Sequence, residues 1–242
     1  MSTITVSCRQ KPTSVNMLQW LSQYNLYTSI EEITGVFGFV QEYSPLYGGR
    51  IYYGAEITEE DLVFLQDKGL SLKLTLTSRI VSKKDYLDSR EMLNKYYYHG
   101  NTIAAVNDNL ARWIKRDFPN YIVEASVIKN IGWGDIEATL EIYDTIVLTM
   151  DKNDDLENLS KIKDKERIIL FGNAGCAYTC PSKICYPSIS KINKGAALNT
   201  FKCSKDYKER EEEALHAFDL DKLRDAGFNN FKFVPVYNGV DN

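Results

Sequence analysis

Residues 102–172 read TIAAVNDNLARWIKRDFPNYIVEASVIKNIGWGDIEATLEIYDTIVLTMDKNDDLENLSKIKDKERIILFG. Four short apolar runs, Thr102–Val106, Tyr121–Ser126, Thr145–Thr149 and Arg167–Gly172, have the length and character of strands. Three helical segments separate them: Asp108–Phe118, stopped by Pro119, then Trp133–Tyr143 and Asp154–Ile162. Strands that alternate with helices in this way form a parallel sheet, because each helix returns the chain to the start of the next strand.

The same alternation extends in both directions. Upstream, Thr3–Cys8 (TITVSC) reads as a strand, and Ser14 can cap a helical pattern carried by Val15, Leu18 and Leu21. Gly35–Val40 is a second strand, followed by a turn-rich loop over Gln41–Arg50. Thr58 opens a capping-box helix with Asp61 three residues on and Gly69 at its end. Leu70–Thr77 (LSLKLTLT) alternates cleanly as a strand, and Ser82–Tyr98 reads as one long helix ending at Gly100. Downstream come an acidic helical stretch near Tyr207–Ala217, a helix over Leu220–Ala226 and a last strand at Asn230–Val234.

Eight strands follow, at 3–8, 35–40, 70–77, 102–106, 121–126, 145–149, 167–172 and 230–234. A doubly wound open sheet can also be built from such units, but eight of them in 242 residues fit an α/β fold of the (β/α)8 TIM-barrel type best. With no linker or low-complexity tract, residues 1–242 are expected to be a single barrel domain.

Barrel active sites lie where the strands end and the βα loops begin. Cys8 ends the first strand, Glu42 and Arg50 follow the second, and Cys176 and Cys180 follow the seventh, all on that face. The connection between strands seven and eight runs to about sixty residues, far beyond an ordinary loop, so it is expected to carry function. It holds four of the five cysteines: Cys176, Cys180, Cys185 and Cys203. Residues 173–205 are therefore the expected metal-binding loop.

Four thiolates on an irregular loop can hold a [4Fe–4S] cluster, and the same spacing permits structural zinc. Disulfides would need an oxidising compartment, for which nothing in the sequence argues. No charged-then-apolar leader opens the chain and no run reaches the ~18–20 apolar residues that span a bilayer, so a cytoplasmic protein without a membrane segment is expected. The net charge of −4 does not indicate nucleic-acid binding. A small-molecule substrate or a protein partner is the expected counterpart.

Arg50, after Gly48 and Gly49, can bind a carboxylate or phosphate, or tie its own loop to Glu42. Glu42 and Tyr43 can act as an acid–base pair or as solvated loop residues. The two histidines suit other tasks: His99 caps a helix end on the far face, and His216 sits exposed in the acidic stretch. With no nucleophile elbow and no well-placed histidine, a serine-type hydrolase is not expected.

The pattern Asn173-x-x-Cys176-x3-Cys180-Pro181, the later Cys203 and the closing Ala226-Gly227-Phe228-x-x-Phe231-Lys232 resemble the collagenase-like peptidase family and its TIM-barrel relatives. Gly48-Gly49-Arg50, Leu76-Thr77, Arg112-x5-Phe118-Pro119 and Val147-Leu148 ahead of Asn153-Asp154-Asp155 extend the resemblance along most of the chain. It implies a barrel with a [4Fe–4S] cluster near its C-terminal face, with Cys176, Cys180 and Cys203 as ligands and Cys185 or Cys8 as the fourth. It further implies chemistry of the kind attributed to those relatives, oxygen-independent hydroxylation of ubiquinone precursors or of RNA nucleotides, and proteins that work in pairs. The chain departs from the family where an Arg and a His are usual, carrying Lys183 and Tyr186, and it ends the last strand with Phe233-Val234-Pro235 in place of Gly-Arg. Roles that depend on the missing His and Arg do not transfer.

Overall fold

The computed structural model describes residues 3–41, 44–49, 55–180, 182–205 and 215–235. Eight parallel strands close into a barrel in the order β1-β10-β7-β6-β5-β4-β3-β2. The barrel strands are β1 (Thr3–Ser7), β2 (Ile33–Phe37), β3 (Ser71–Leu76), β4 (Thr102–Ala105), β5 (Ile122–Ala125), β6 (Thr145–Val147), β7 (Ile168–Phe171) and β10 (Asn230–Phe233). Two further strands, β8 (Asn173–Ala174) and β9 (His216–Ala217), pair antiparallel outside the barrel.

The outer layer comprises α1 (Met17–Leu21), α2 (Glu59–Asp67), α3 (Lys83–Asp88), α4 (Arg90–Lys95), α5 (Asp108–Asp117), α6 (Ile136–Leu140) and α7 (Leu156–Ser160). Two helices, α8 (Cys185–Ile192) and α9 (Leu220–Asp225), lie in the connection between β7 and β10. Side-chain caps start several of them: Thr58 accepts from the Asp61 amide, Asn107 from Leu110 and Asp219 from Lys222. The first helix is capped by Asn16, not Ser14.

Other expectations shift for local reasons. Strand β2 ends at Phe37 because Gly38 turns the chain with φ +98°, so the run to Val40 leaves the sheet. The helix expected over Ser82–Tyr98 is two short helices. Ser89 breaks it: its hydroxyl bonds to the Asp85 carbonyl at 2.9 Å and contacts Ser44 Oγ at 3.0 Å, and the backbone leaves helical geometry there. Asp61 does not complete a capping box; it is buried and paired with Lys11 at 2.8 Å. Most of the acidic stretch near Tyr207–Ala217 lies outside the described residues, and its described end, with His216, is strand β9.

The alternation in β3 shows how the two sides of the wall differ. Leu72, Leu74 and Leu76 are buried against the helical layer. Ser71, Lys73 and Thr75 take the other face, towards the barrel axis. Inward positions of neighbouring strands continue this polar lining: Thr5 pairs in register with Lys232, and Glu124 with Thr145. Much of the apolar core therefore lies between strands and helices, and the barrel axis carries polar and charged groups beside inward rings such as Phe37 and Phe171.

Candidate functional site: the barrel axis and its cysteine roof

At the centre of the barrel, Glu124 of β5 is fully buried between two lysines. Its carboxylate pairs with Lys73 of β3 through one oxygen and with Lys232 of β10 through the other, the latter at 3.1 Å. Burial opposes a charged Glu124, but Lys232 and Lys73 outweigh it and hold its carboxyl below the usual range. For Lys232, burial pushes the amine down and Glu124 resists; the charge of Lys73 adds to the depression, which brings it to about 8. Lys232 Nζ also lies 4.1 Å from the centre of the Phe37 ring.

The described residues of the segment, 173–180 and 182–205, lie across the C-terminal mouth of the barrel, tied to several βα loops. Asn193 Nδ2 donates to the carbonyls of Tyr47 and Gly49 in the loop after β2, at 3.2 and 2.7 Å. Gly48 between them packs on the end of β3 so closely that a Cβ would stand 2.2 Å from the Thr77 carbonyl carbon. After β3, the Arg79 amide donates to Ser190 Oγ at 3.1 Å, and Asp85 pairs with Lys194 at 2.7 Å. After β6, Asp151 pairs with Lys183 at 3.3 Å and Asp154 accepts from the Tyr178 hydroxyl at 2.5 Å. The expected loop is thus a roof with its own helix, α8, which the sequence reading did not foresee.

The cysteines occupy different environments. Cys180 Sγ accepts from the Lys183 amide at 3.3 Å and sits 3.1 Å from Ser204 Oγ. Burial pushes its thiol up, yet the Ser204 hydroxyl and the backbone amides of Lys183 and Ser182, aided by Lys205, prevail and hold it below the usual value. Cys176, Cys180 and Cys185 all act on the Tyr186 hydroxyl, whose pKa is raised by burial first and then by those three thiols, while Arg9 at the end of β1 opposes them. Cys203 adjoins Ser204, the contact of Cys180, and is half-buried. Cys8 stands apart in the core, 3.8 Å from Met17 Sδ, and burial pushes its thiol far up.

No disulfide joins the five cysteines, and among the described residues no group of three or more His, Cys, Asp or Glu side chains is gathered closely enough to hold a metal ion. Glu42 and Arg50 lie outside the described residues. His216 is exposed, stacked on Tyr178 at 4.8 Å and edge-on to Phe218 at 4.7 Å. Among the described residues no helix is long and apolar enough to cross a membrane.

The sequence reading missed Lys73, Glu124 and Lys232 as a set. The available signal was a single charged residue at the middle of each of three otherwise uncharged strands, LSLKLTLT, YIVEAS and NFKFV.

Closed parallel strands, an outer helical layer and a roofed C-terminal mouth define the chain as a (β/α)8 barrel. Among solved structures it is similar to that of the U32 peptidase Mk0906, with a TM-score of 0.62 over 97% of this chain and 92% of that one. U32 peptidases are collagenase-like, so the fold agrees with the family resemblance drawn from Asn173, Cys176 and Cys180; at 14% identity the likeness is one of fold. No family model matches the chain, and no curated protein matches it in sequence.

Proposed function

We propose that this chain is a thiolate-ligated metal protein in which Cys176, Cys180, Cys185 and Cys203 hold a [4Fe–4S] cluster over the barrel mouth. The observation that carries the reading is that all four cysteines lie on the segment tied to the βα loops after β2, β3 and β6, with Cys180 in contact with Ser204, the neighbour of Cys203 in the chain. Metal ligation requires thiolates, and the surroundings of Cys180 favour that form. Lys205 supplies positive charge beside it. The ligands would have to draw together on loading. Among the described residues, 175–180 and 182–184 contain neither helix nor strand and are the part able to do so.

Such a cluster, with all four irons ligated by cysteine, would supply electron transfer; only if Cys185 did not bind would an open iron add a Lewis acid. The roof is already held by Asn193, Ser190, Lys194 and Lys183, so metal is not required to fasten it. That favours a reactive role over a purely structural one. The reaction class that suits it is an oxygen-independent hydroxylation, or a related redox or group-transfer reaction, on a small molecule held in the barrel. A non-catalytic protein whose iron–sulfur or zinc site serves only to present a surface to a partner is the alternative.

Anaerobic purification tests the assignment. The expected product is brown, absorbs near 400 nm and contains ~4 iron per chain with acid-labile sulfide. Colourless protein with stoichiometric zinc would replace the cluster by a zinc site, and protein with neither metal would remove the assignment altogether.

A further inference from the structure

We propose that the ε-amine of Lys232, on the barrel axis beneath the cysteine roof, is a nucleophile that forms an imine with the carbonyl carbon of a small aldehyde or ketone. The site is built independently of the metal assignment, from side chains of five strands.

Three arrangements point to it. Among the described residues the axis holds two lysines and one carboxylate, so one positive charge there is buried without a described counter-charge of its own. Lysines acquire nucleophilic character when they are desolvated beside another cation, because the neutral amine is then the cheaper state to bury. Burial and Lys73 place Lys232 in that position, and its amine is pushed down to about 8. The charged groups facing it are Glu124 of β5 and Lys73 of β3; β2 contributes the Phe37 ring and β1 contributes Thr5.

The second arrangement is access. Phe37 and Thr75 face the axis, yet both are only half-buried, so solvent reaches into the barrel as far as the ring on which Lys232 rests. The third is a waiting hydrogen-bonding group. Thr5 Oγ1 is buried, has no hydrogen-bond partner among the described residues, and belongs to the residue paired in register with Lys232. A buried hydroxyl without a partner is costly, and an oxygen on a bound carbonyl compound would supply one.

The step balances without an outside reagent. Lys232 gives up a proton, and Glu124, 3.1 Å from Nζ, is the group placed to hold it. The nitrogen lone pair attacks the carbonyl carbon, the N–C bond forms and the C=O π pair moves to oxygen. A second proton passes from nitrogen to that oxygen and gives a neutral carbinolamine. The stored proton then returns to the hydroxyl, water leaves and the nitrogen lone pair closes C=N. An ammonium cation has become an iminium cation, so the charge opposite Glu124 is the same before and after. Lys73 acts as a positioning residue: it occupies the other carboxylate oxygen and keeps Lys232 short of compensation.

The test is reductive trapping on the whole chain, with pyruvate and glycolaldehyde as probes and sodium cyanoborohydride as reductant, mapped by peptide mass spectrometry. One adduct per chain is expected on Lys232, formed about 10-fold or more faster at pH 7 than on any surface lysine. Its rate should rise with a midpoint near pH 8. Lys232→Arg keeps a cation for Glu124 but cannot form the imine, and should show no adduct at that position. Lys73→Met should move the midpoint of the pH–rate profile upward, which loss of a merely structural contact would not do. Labelling should be unchanged after chelation of metal, so failure of the cluster assignment leaves this result intact. With either probe, adducts confined to surface lysines, or a Lys232 rate equal to theirs, would overturn the proposal.

Discussion

Asn173 and Val234 exchange two hydrogen bonds at the barrel rim: Asn173 Nδ2 donates to the Val234 carbonyl at 3.1 Å, and the Val234 amide donates to Asn173 Oδ1 at 2.8 Å. One fully buried side-chain amide thus completes the backbone pairing where β7 and β10 run out. The same residue begins the segment that carries the cysteines, so Asn173 fixes where the roof leaves the barrel. Asn173→Ala removes both partners and leaves Val234 polar groups without replacement. A loss of about 1–3 kcal/mol in urea unfolding is expected, together with faster amide exchange at Val234 and Ala174.

The charge cluster on the axis gives a prediction with two arms. Glu124→Leu leaves Lys73 and Lys232 buried without their carboxylate, and a loss of about 3–5 kcal/mol is expected. Replacing all three charges, as in Lys73→Met with Glu124→Leu and Lys232→Met, removes the desolvation cost as well and should recover most of that loss. Denaturant midpoints of the single and triple variants decide it. A triple variant as unstable as Glu124→Leu alone would mean that the ion cluster is not what makes the single change costly.

These charges explain which parts of the chain the sequence disclosed. The strand at Leu70–Thr77 was legible because its leucines alternate, and the same held for the eight-unit repeat that follows from such runs. Alternation does not say, however, that the polar face of a closed barrel is also buried. Lys73 looks like a solvated residue until Glu124 and Lys232, far away in sequence, arrive on the same axis. The helix break at Ser89 was hidden for a similar reason, since its hydroxyl is engaged by Ser44 from another loop. In the roof, the cysteine spacing was visible but α8 was not. It starts at Cys185, has Pro187 in its first turn and lacks a side-chain cap, so its N-terminus carries none of the usual polar capping signal.

Stability should respond to Lys232 in the alkaline range. Its amine is pushed down to about 8 in the folded protein, against ~10.4 in an unfolded chain. Between those values the unfolded state binds more protons, so this group makes the fold more stable as pH rises. The full swing is about 3 kcal/mol at most. Buried phenols such as Tyr121 and Tyr143, which burial pushes up, act with the opposite sign above pH ~10. The measurement is therefore the difference in unfolding free energy between wild type and Lys232→Met. That difference should shift towards the wild type from pH 8 to pH 10 and be flat from pH 6 to 7. A difference that does not change with pH would show that Lys232 titrates at its ordinary value.

Substitution of single cysteines separates ligands from core. Cys8 lies against Met17 with its thiol neutral, so Cys8→Ser places a more strongly polar hydroxyl in an apolar setting and should cost about 1–3 kcal/mol while leaving metal content unchanged. Cys180→Ser, in the roof, should have little effect on the unfolding midpoint of the metal-free chain and should abolish the absorbance near 400 nm. Cys185→Ser discriminates between the two readings of the fourth ligand. If it spares the cluster and Cys8→Ser destroys it, then the first strand supplies a ligand and the thiol at Cys8 must leave Met17 and ionise on loading. The environment of Cys8 opposes that change, because burial raises the cost of a thiolate there and Asp61 adds to it, and together they outweigh the help of Lys11 and of the Trp20 side-chain hydrogen bond. The expected result is therefore loss of cluster in Cys185→Ser and retention in Cys8→Ser, read by iron content per chain.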